Sequence, residues 1–474
     1  MARISSLLEY YADPCVRERI LEYCGAMGAD LPTCVDLAGL TDHRARFMTW
    51  GRAPRYETTE LSTLLASGAD ISRSLWDATS LLIHLDFDYQ NIDSPGEAYH
   101  HPAEVFFKLE PIYRATQHVF HRFRLPLLAL MTGRGYHFTG RVPLDSPVVD
   151  RLAALVPEPP RWLVTLPARR PPWLTAELSE RHAKAYVGAG MLVEYLAHRI
   201  WRKAEPRSPI PLVLNGVVVG AGLAGRECTS IDLSYAGDPM DVRHLRVAFG
   251  AYQKHRFRPD IVAHRGASER PPFIAVPRGD ESLEHLLSHG REFAHAARAA
   301  RARSARLPVV TSGVEALLDS YGTSRLARSH RRFYASPRRS VAEGDALFRA
   351  LPASLPGCVT RPLVTPNDWL LQPTSLQHVT RALMADGMPP RDIAGIVHAR
   401  YAADYAWGRR WAWLDPESRA EFDVRVFTGL IEAGVDGAID FNCTSAQEKN
   451  LCPRQPCGQD LRVNRERLLG AVPA

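Results

Sequence analysis

The sequence predicts an α+β protein built from more than one structural unit. Strand-like runs such as LLIHLDFDYQ at residues 81–90 alternate with helical stretches such as residues 175–204, and this mixed pattern is typical of the α+β class. The length of 474 residues allows about three domain-sized units, and a hydrophobic content of 46% is that of a globular protein. We expect a core domain over residues 1–267, a basic connecting region over 268–345 and a mainly α-helical metal-binding domain over 346–474.

The most informative strand carries two carboxylates, Asp86 and Asp88, at the end of an apolar run. Successive side chains of a strand point to opposite faces, so an Asp-x-Asp pair directs both carboxylates to the same side. Hard divalent cations such as Mg²⁺ bind through one or two carboxylates together with substrate phosphates. The pair therefore predicts a metal-dependent site of phosphate transfer.

A glycine-rich turn follows between the apolar stretch PLLALM and the strand-like residues YHFT. Thr132 and Gly133 open this turn, and glycines on both sides of Arg134 predict a tight hairpin. Such a hairpin offers backbone amides and a guanidinium to an anion, with His137 just beyond it. An ordinary hairpin followed by a hydrogen-bonded core histidine explains the same pattern.

The third segment, residues 227–254, holds a further acid and several cations. Asp232 ends a short strand-like run, and Arg246 and Lys254 follow it. Two-metal phosphoryl transfer needs an additional acid to complete the metal cage and cations to hold a triphosphate. A basic stretch is also typical of a solvated surface, so the cations alone do not define a site.

Taken in order, these segments resemble the motifs of the archaeo-eukaryotic primase superfamily, which includes small-subunit DNA primases and primase-polymerases. The matching letters are LDFD, TGRGYH, and SIDLSY followed by RHLR and QK, with Thr132 where a Ser is common. The resemblance implies an RRM-like catalytic core that joins nucleotides with two Mg²⁺ or Mn²⁺ ions. It assigns metal binding and catalysis to Asp86, Asp88 and Asp232, and nucleotide binding to Thr132, Gly133, Arg134, His137, Arg246 and Lys254.

Four cysteines in the carboxyl-terminal third form a second group of candidate ligands. Cys443, Cys452 and Cys457 lie close together in a polar loop, where inert core thiols are not expected. A tetrahedral zinc site or a four-iron cluster needs a fourth ligand, and Cys358 in LPGCVTRPL is the candidate. This arrangement resembles the carboxyl-terminal domain of the primase large subunit, which implies a [4Fe-4S] cluster. The last two cysteines are closer together than in that family, so Zn²⁺ and the absence of any metal are the alternatives.

Charge and hydropathy restrict the partners. Residues 291–340 contain eleven arginines against three acidic residues, and the whole chain carries a net charge of +6. A stripe this basic predicts contact with a phosphate backbone, although a solvated helix also explains a charged stretch. The longest apolar stretch, PLVLNGVVVGAG, is too short to cross a bilayer, so we expect no membrane association and a cytoplasmic location.

Together with these observations, the resemblance implies a template-dependent DNA primase or primase-polymerase that acts on single-stranded DNA with NTP or dNTP substrates. A helicase or other replication proteins are further candidate partners. Three alternatives stay open. The first is a repair or end-joining polymerase of the same superfamily, the second a non-catalytic DNA-binding replication-initiation protein, and the third a metal-dependent nuclease that uses the same carboxylates.

Overall fold

Strands and helices alternate through the first part of the chain, and helices alone follow in the second part that the structure describes. The structure, a computed structural model, describes residues 6–26, 31–40, 54–215, 227–238, 244–253, 273–366, 370–403, 415–452 and 457–470. Within these ranges the last strand ends at Pro277. The chain is therefore a mixed α+β protein with a helical carboxyl-terminal part, as the sequence predicts.

The strands form two larger sheets and one short ribbon. The described strands are β1 (Leu37–Leu40), β2 (Arg55–Tyr56), β3 (Asp70–Arg73), β4 (Ser80–Asn91), β5 (Leu128–Met131), β6 (Gly135–Pro143), β7 (Leu212–Leu214), β8 (Glu227–Asp232), β9 (Leu245–Arg246), β10 (Ala251–Tyr252), β11 (Phe273–Ile274) and β12 (Val276–Pro277). The central sheet has the order β12-β5-β6-β4-β8-β7, and its neighbours are antiparallel except for β7 with β8. Strand β4 thus lies between β6 and β8.

A second sheet and the ribbon lie beside the central sheet. The second sheet has the order β2-β1-β3-β9, and β10 pairs with β11 in the ribbon. Because only Ala275 separates β11 from β12, residues 273–277 join the ribbon to the edge of the central sheet. These residues fall in the stretch predicted as a connecting region, yet β11 pairs with β10 of the ribbon and β12 pairs with β5 of the central sheet.

The helices surround these sheets and make up the carboxyl-terminal part. None of the described helices combines the length and the apolar character needed to cross a bilayer. The described helices are α1 (Leu7–Ala12), α2 (Pro14–Tyr23), α3 (Leu61–Ala66), α4 (Glu97–His100), α5 (Pro102–Phe123), α6 (Pro147–Ala153), α7 (Arg161–Arg169), α8 (Glu180–Ala204), α9 (Leu283–Arg291), α10 (Phe293–Ala302), α11 (Thr311–Gly322), α12 (Arg325–Ala335), α13 (Val341–Arg349), α14 (Gly357–Val364), α15 (Pro373–Ala385), α16 (Pro390–Ala402), α17 (Pro416–Glu432), α18 (Cys443–Glu448) and α19 (Leu461–Gly470).

Helices α5 and α8 pack on opposite faces of the central sheet. On one face, Phe120 of α5 meets Phe138 of β6 edge to face, with ring centroids 5.2 Å apart. On the other face, α8 packs over His84 of β4 and the turn after β8. A Cβ at Gly190 of α8 would lie 2.6 Å from the Cβ of Ala236, so glycine allows this close approach. The part of β4 beyond His84 carries the acids.

The carboxyl-terminal helices are tied to α8 by a buried charge network. Glu194 of α8 is buried, and its Oε2 lies 3.2 Å from Nε2 of His330 on α12. Arg425 of α17 lies 3.6 Å from the same oxygen. Buried charges persist only when they are paired, so this network fixes α12 and α17 on α8. The second half of the chain therefore packs directly on the sheet-bearing half.

Candidate functional site

The three predicted acids meet on one face of the central sheet. Asp86 on β4 lies directly opposite His137 on β6 and directly opposite Asp232 on β8. Directly opposed residues of antiparallel strands have Cβ atoms about 4.5–5.5 Å apart. Asp88, two residues further along β4, projects to the same face. Four predicted site residues are thus neighbours, although they come from three separate parts of the chain.

Asp232 forms the exposed side of this group. It ends β8 and is half-buried, and its Oδ1 accepts a hydrogen bond from the Ser234 amide at 2.9 Å. A small cavity of about 20 Å³ borders it, lined in part by His84 and Tyr235. A cavity of this size holds about one water molecule. Of the three acids, only Asp232 lines this cavity.

Asp86 and Asp88 are deeper and lie against cations. Their relative exposures are 3% and 9%. The Arg134 guanidinium contacts Asp88, and His137 Nε2 lies 3.3 Å from Asp86 Oδ1. Burial opposes the charge of Arg134, but Asp88 together with Tyr99 and Tyr252 outweighs burial and raises the pKa of the guanidinium. A divalent cation at these carboxylates would have to compete with Arg134 and His137.

The predicted hairpin between β5 and β6 is confirmed. The Thr132 amide donates to the Gly135 carbonyl at 2.9 Å, so this amide is used within the turn. A Cβ at Gly135 would lie 1.6 Å from the Phe87 carbonyl oxygen, so glycine is required where β6 passes β4. This close passage brings Arg134 beside the acids. The guanidinium, more than the Thr132 amide, is the group that the hairpin offers to an anion.

Two aromatic rings connect Arg246 to the same hairpin. The Arg246 guanidinium lies 4.0 Å from the centroid of the Tyr252 ring, a cation–π contact. Tyr252 stacks on Tyr99 with ring centroids 5.9 Å apart. Both rings border Gly133, where an added Cβ would lie 3.0 Å from Tyr99 and 3.2 Å from Tyr252. The absence of a side chain at Gly133 therefore leaves room for this aromatic pair.

Arg246 itself belongs to the second sheet. Strand β9 places it opposite Ser72, and its Nη1 lies 2.5 Å from Oδ1 of the buried Asp70. Burial opposes its charge, while Asp70 and then Tyr252 raise its pKa. The ion pair fixes Arg246 at the border of the hairpin. Lys254, the other cation predicted in this segment, lies outside the described residues.

His84 is a neighbour of the acids that the sequence analysis missed. Its Nδ1 lies 2.8 Å from Thr139 Oγ1, and its ring meets the His137 ring edge to face at 5.2 Å. Burial and the nearby His137 lower the pKa of His84 well below its usual value, although Asp86 opposes this. A neutral imidazole thus supports His137. The sequence does carry a sign of this neighbour. His84, Asp86 and Asp88 occupy every second position of the strand, a pattern that predicts one polar face.

Helix α17 brings a further acid close to Asp232. Phe422 packs against the turn after β8, where a Cβ at Gly237 would lie 3.5 Å from its ring. The next residue, Asp423, is fully buried and pairs with Arg419 at 2.7 Å. Burial raises the pKa of Asp423, Arg419 opposes the shift, and Asp232 adds to it. No local motif marks Asp423, because tertiary packing alone brings it to the site.

The four predicted cysteine ligands lie near one another. Cys358 lies on α14, Cys443 begins α18, and Cys452 follows four residues after the end of α18. Cys358 is buried, Cys443 and Cys452 are half-buried, and Cys457 is exposed. Burial raises the pKa of the Cys358 thiol to about 12, and the neighbouring thiols of the other three cysteines add to this shift. His378 Nε2 lies 3.3 Å from Cys358 Sγ. The fold therefore gathers the thiols around Cys358 from segments far apart in sequence.

Within the described ranges, no three His, Cys, Asp or Glu side chains already form a metal-binding group. The donor chemistry nevertheless fits a metal in two places. Carboxylate oxygens from β4 and β8 suit a hard cation such as Mg²⁺. The four thiols at and around Cys358 are donors of the type that Zn²⁺ or an iron–sulfur cluster takes, and they would have to draw closer to share one ion or cluster. At the carboxylate site, Asp86 and Asp88 would have to exchange their present contacts with His137 and Arg134 for the ion.

Comparison with protein-family models, with curated proteins and with solved structures gives no match for this chain. A fold class by itself assigns no activity, because one architecture serves many functions. The chemistry of the two residue groups is therefore the basis for assigning a function.

Proposed function

We propose that this protein is a template-dependent nucleotidyltransferase of the primase-polymerase type that acts on single-stranded DNA. The observation that carries the proposal is the strand register that sets Asp86 between His137 and Asp232. Clustered carboxylates with basic side chains at their border are the groups that two-metal nucleotidyl transfer requires. The resemblance of the three motifs to the archaeo-eukaryotic primase superfamily, with its RRM-like core, supports the same assignment.

The acids are the proposed metal ligands. Asp86, Asp88 and Asp232 would hold two Mg²⁺ or Mn²⁺ ions, which when bound activate the attacking 3′-hydroxyl and neutralise the leaving pyrophosphate. Arg134 and His137 now lie against Asp88 and Asp86. We expect both to turn to the phosphate oxygens of the incoming nucleotide, because charge-assisted hydrogen bonds to phosphate are strong. Such a site works by positioning and electrostatics and needs no covalent intermediate.

The hairpin and its aromatic neighbours are the proposed nucleotide-binding surface. Gly133 lacks a side chain beside Tyr252, and Arg246 lies on that ring. We expect Thr132, which follows β5, and Lys254 to add contacts to the triphosphate. His84 holds no substrate in this proposal and acts as a positioning residue for His137.

The cysteine group is the proposed site of a [4Fe-4S] cluster, with Zn²⁺ as the alternative. Cys358, Cys443, Cys452 and Cys457 supply the four thiols that either group takes. The imidazole of His378 lies within hydrogen-bond distance of the Cys358 sulfur, and hydrogen bonds to ligand sulfurs tune the reduction potential of an iron–sulfur cluster. Anaerobic purification followed by visible absorption and by iron, sulfide and zinc analysis distinguishes the two.

The activity test combines single-stranded DNA, Mn²⁺ and labelled nucleotides. We expect the wild-type protein to make short oligomers without a primer and the D86N/D88N variant to make none. D150N is the matched control, because Asp150 is an exposed acid that pairs with Arg181. Incorporation by a folded D86N/D88N variant would contradict the proposal.

Three other outcomes identify the alternatives. Extension of primed templates without synthesis on unprimed DNA indicates a repair or end-joining polymerase. Degradation of labelled DNA in the absence of nucleotides indicates a metal-dependent nuclease. DNA binding without either reaction indicates a replication-initiation protein on the same scaffold.

A further inference from the structure

Ten of the eleven arginines of residues 291–340 fall into two groups, while the half-buried Arg291 donates to the Tyr99 carbonyl at 2.8 Å. One group is neutralised by acids from other parts of the fold, and its ion pairs are Arg301 with Asp13, Arg303 with Glu281, Arg332 with Glu432, Arg338 with Glu158, and Arg339 with Asp392. The other group is exposed, and among the described residues neither Arg325 nor Arg328 pairs with an acid. The basic excess of this stretch is therefore concentrated at a few positions.

Helix α12 presents these arginines on one face. Arg325, Arg328 and Arg331 are exposed and recur every three residues, whereas His330 and Phe333 lie on the buried face. Arg331 donates to the Gly322 carbonyl at 3.3 Å and otherwise faces solvent. Arg325 also occupies the first position of the helix, where the positive end of the helix dipole disfavours a cation. An anionic partner would relieve this repulsion.

The last two turns of α8 add further cations beside α12. Arg199, Arg202 and Lys203 lie there, and Arg202 donates to the Ala433 carbonyl at 2.6 Å. Burial, then Arg199 and then Arg325 lower the pKa of Arg202, so these guanidinium groups are close enough to repel. We call this group the α8–α12 basic surface, and its members are Arg199, Arg202, Lys203, Arg325, Arg328 and Arg331. Two acids lie beside it: Glu432 is already paired with Arg332 at 2.7 Å, and Glu205 at the end of α8 accepts the Leu212 amide at 2.9 Å.

The basic surface lies next to the edge of the central sheet that leads to the acids. Trp201 Nε1 at the end of α8 donates to the Leu212 carbonyl of edge strand β7 at 2.8 Å. Leu212 lies opposite Thr229 of β8, which lies opposite Tyr89 of β4. Tyr89 follows Asp88 directly, and two strand spacings amount to about 10 Å. The edge strand that contacts the end of α8 is therefore about 10 Å from the strand that carries Asp86 and Asp88.

We propose that the α8–α12 basic surface binds the phosphate backbone of single-stranded DNA. Six cations outnumber the neighbouring acids Glu432 and Glu205, and this excess of positive charge matches a chain of phosphates. Guanidinium groups bind phosphate with two parallel hydrogen bonds. Affinity at such a surface comes from counterion release and is independent of base sequence. The choice of DNA as the polymer rests on the proposed function, whereas the binding of phosphate rests on the surface alone.

The test measures the fluorescence anisotropy of a labelled oligothymidylate in EDTA, where no chemistry occurs. R325Q/R328Q removes two cations of the surface, and R298Q/R306Q removes two exposed arginines elsewhere in the same stretch. At about 0.1 M salt we expect R325Q/R328Q to bind roughly 25-fold more weakly, because each lost phosphate contact removes about 0.7 from the salt slope. R298Q/R306Q should bind like the wild-type protein. Circular dichroism checks that both variants are folded.

Two results would overturn the proposal. One is binding by R325Q/R328Q within twofold of the wild-type value, and the other is an equal loss in R298Q/R306Q. D86N/D88N separates this proposal from the catalytic one, since it should bind the oligonucleotide normally and incorporate nothing. Retained incorporation by D86N/D88N together with weak binding by R325Q/R328Q refutes the catalytic assignment and supports the basic surface.

Discussion

Replacing Asp232 by Asn should stabilise the metal-free protein and weaken its response to divalent cations. Asp232 faces Asp86 across two antiparallel strands, at a Cβ separation of about 5 Å. Two negative charges at about 5 Å repel by roughly 3 kcal/mol at an effective dielectric constant of about 20. The contact of His137 with Asp86 and the partial exposure of Asp232 screen most of this, which leaves about 1 kcal/mol. Asn keeps the oxygen that accepts the Ser234 amide.

Urea unfolding measures both effects. In EDTA, the free energy of unfolding of D232N should exceed the wild-type value by about 1 kcal/mol. With Mn²⁺ present, the wild-type protein should gain stability, because an ion that binds only the folded state stabilises it, and D232N should gain much less. D150N, which removes an exposed carboxylate, should respond to Mn²⁺ like the wild-type protein.

Two outcomes would refute this reasoning. A D232N protein that is less stable than the wild type in EDTA would show that Asp86 and Asp232 do not repel each other across the strands. An equal gain from Mn²⁺ in both proteins would show that the stabilising ion binds somewhere other than between β4 and β8.

The remaining predictions concern the hairpin, the cysteine region and a buried ion pair. Gly135→Ala should lower the free energy of unfolding by about 3–5 kcal/mol in urea titrations, because the new Cβ would lie 1.6 Å from the Phe87 carbonyl oxygen. Cys452→Ser should lower the iron or zinc content per chain, measured by elemental analysis after anaerobic purification. Asp440→Asn should cost about 3 kcal/mol at neutral pH, because it leaves the buried Arg381 with one acid fewer. Burial raises the pKa of Asp440, but Arg381 and Lys449 outweigh burial and hold this pKa below its usual value. This contribution is therefore present above about pH 4 and lost as the pH falls, so variant and wild type converge in acid.

Each of these predictions has a matched control. Gly322→Ala adds a Cβ that meets nothing within 4 Å, and a similar cost for both glycines would contradict the steric argument. Cys15→Ser removes a thiol far from Cys358 in sequence and should leave the metal content unchanged, so an equal loss would argue against the cysteine site. A stability difference between Asp440→Asn and wild type that persists at low pH would show that the carboxylate charge is not its source.

Local patterns were sufficient to predict the strands and the turn that carry the acids. The apolar run before Asp86 has the length of a strand, and β4 spans Ser80–Asn91. The glycines around Arg134 predict a hairpin, and β5 and β6 pair on either side of it. Asp232 ends a strand as expected. These features depend on side-chain alternation and glycine geometry, which a sequence displays directly.

Contacts between distant segments were not predictable in the same way. The approach of Asp423 to Asp232 depends on how α17 packs on the turn after β8, and no spacing in the sequence encodes that packing. His84 lay inside an apolar run and was overlooked, although it shares the face of Asp86. Strands β11 and β12 have two residues each, too few for an alternating pattern, so the sequence predicts only a connecting region, residues 268–345, where these strands lie.

The arginine-rich stretch illustrates the same limit at the surface. Composition predicts a basic stripe, but the fold pairs several of its arginines with acids from other elements, such as Arg301 with Asp13. Only the tertiary structure distinguishes Arg325 and Arg328 from these paired residues. It also brings Arg202 of α8 beside Arg325, a neighbourhood that no sequence window contains.

The number of Mn²⁺ ions bound with a non-hydrolysable nucleoside triphosphate tests most directly whether Asp86, Asp88 and Asp232 form one metal site. Electron paramagnetic resonance of free Mn²⁺ gives this number by titration. We predict about two ions per wild-type chain with the nucleotide present and a loss of both in D86N/D88N. Equal Mn²⁺ binding by the two proteins would contradict the proposal that these carboxylates hold the catalytic ions.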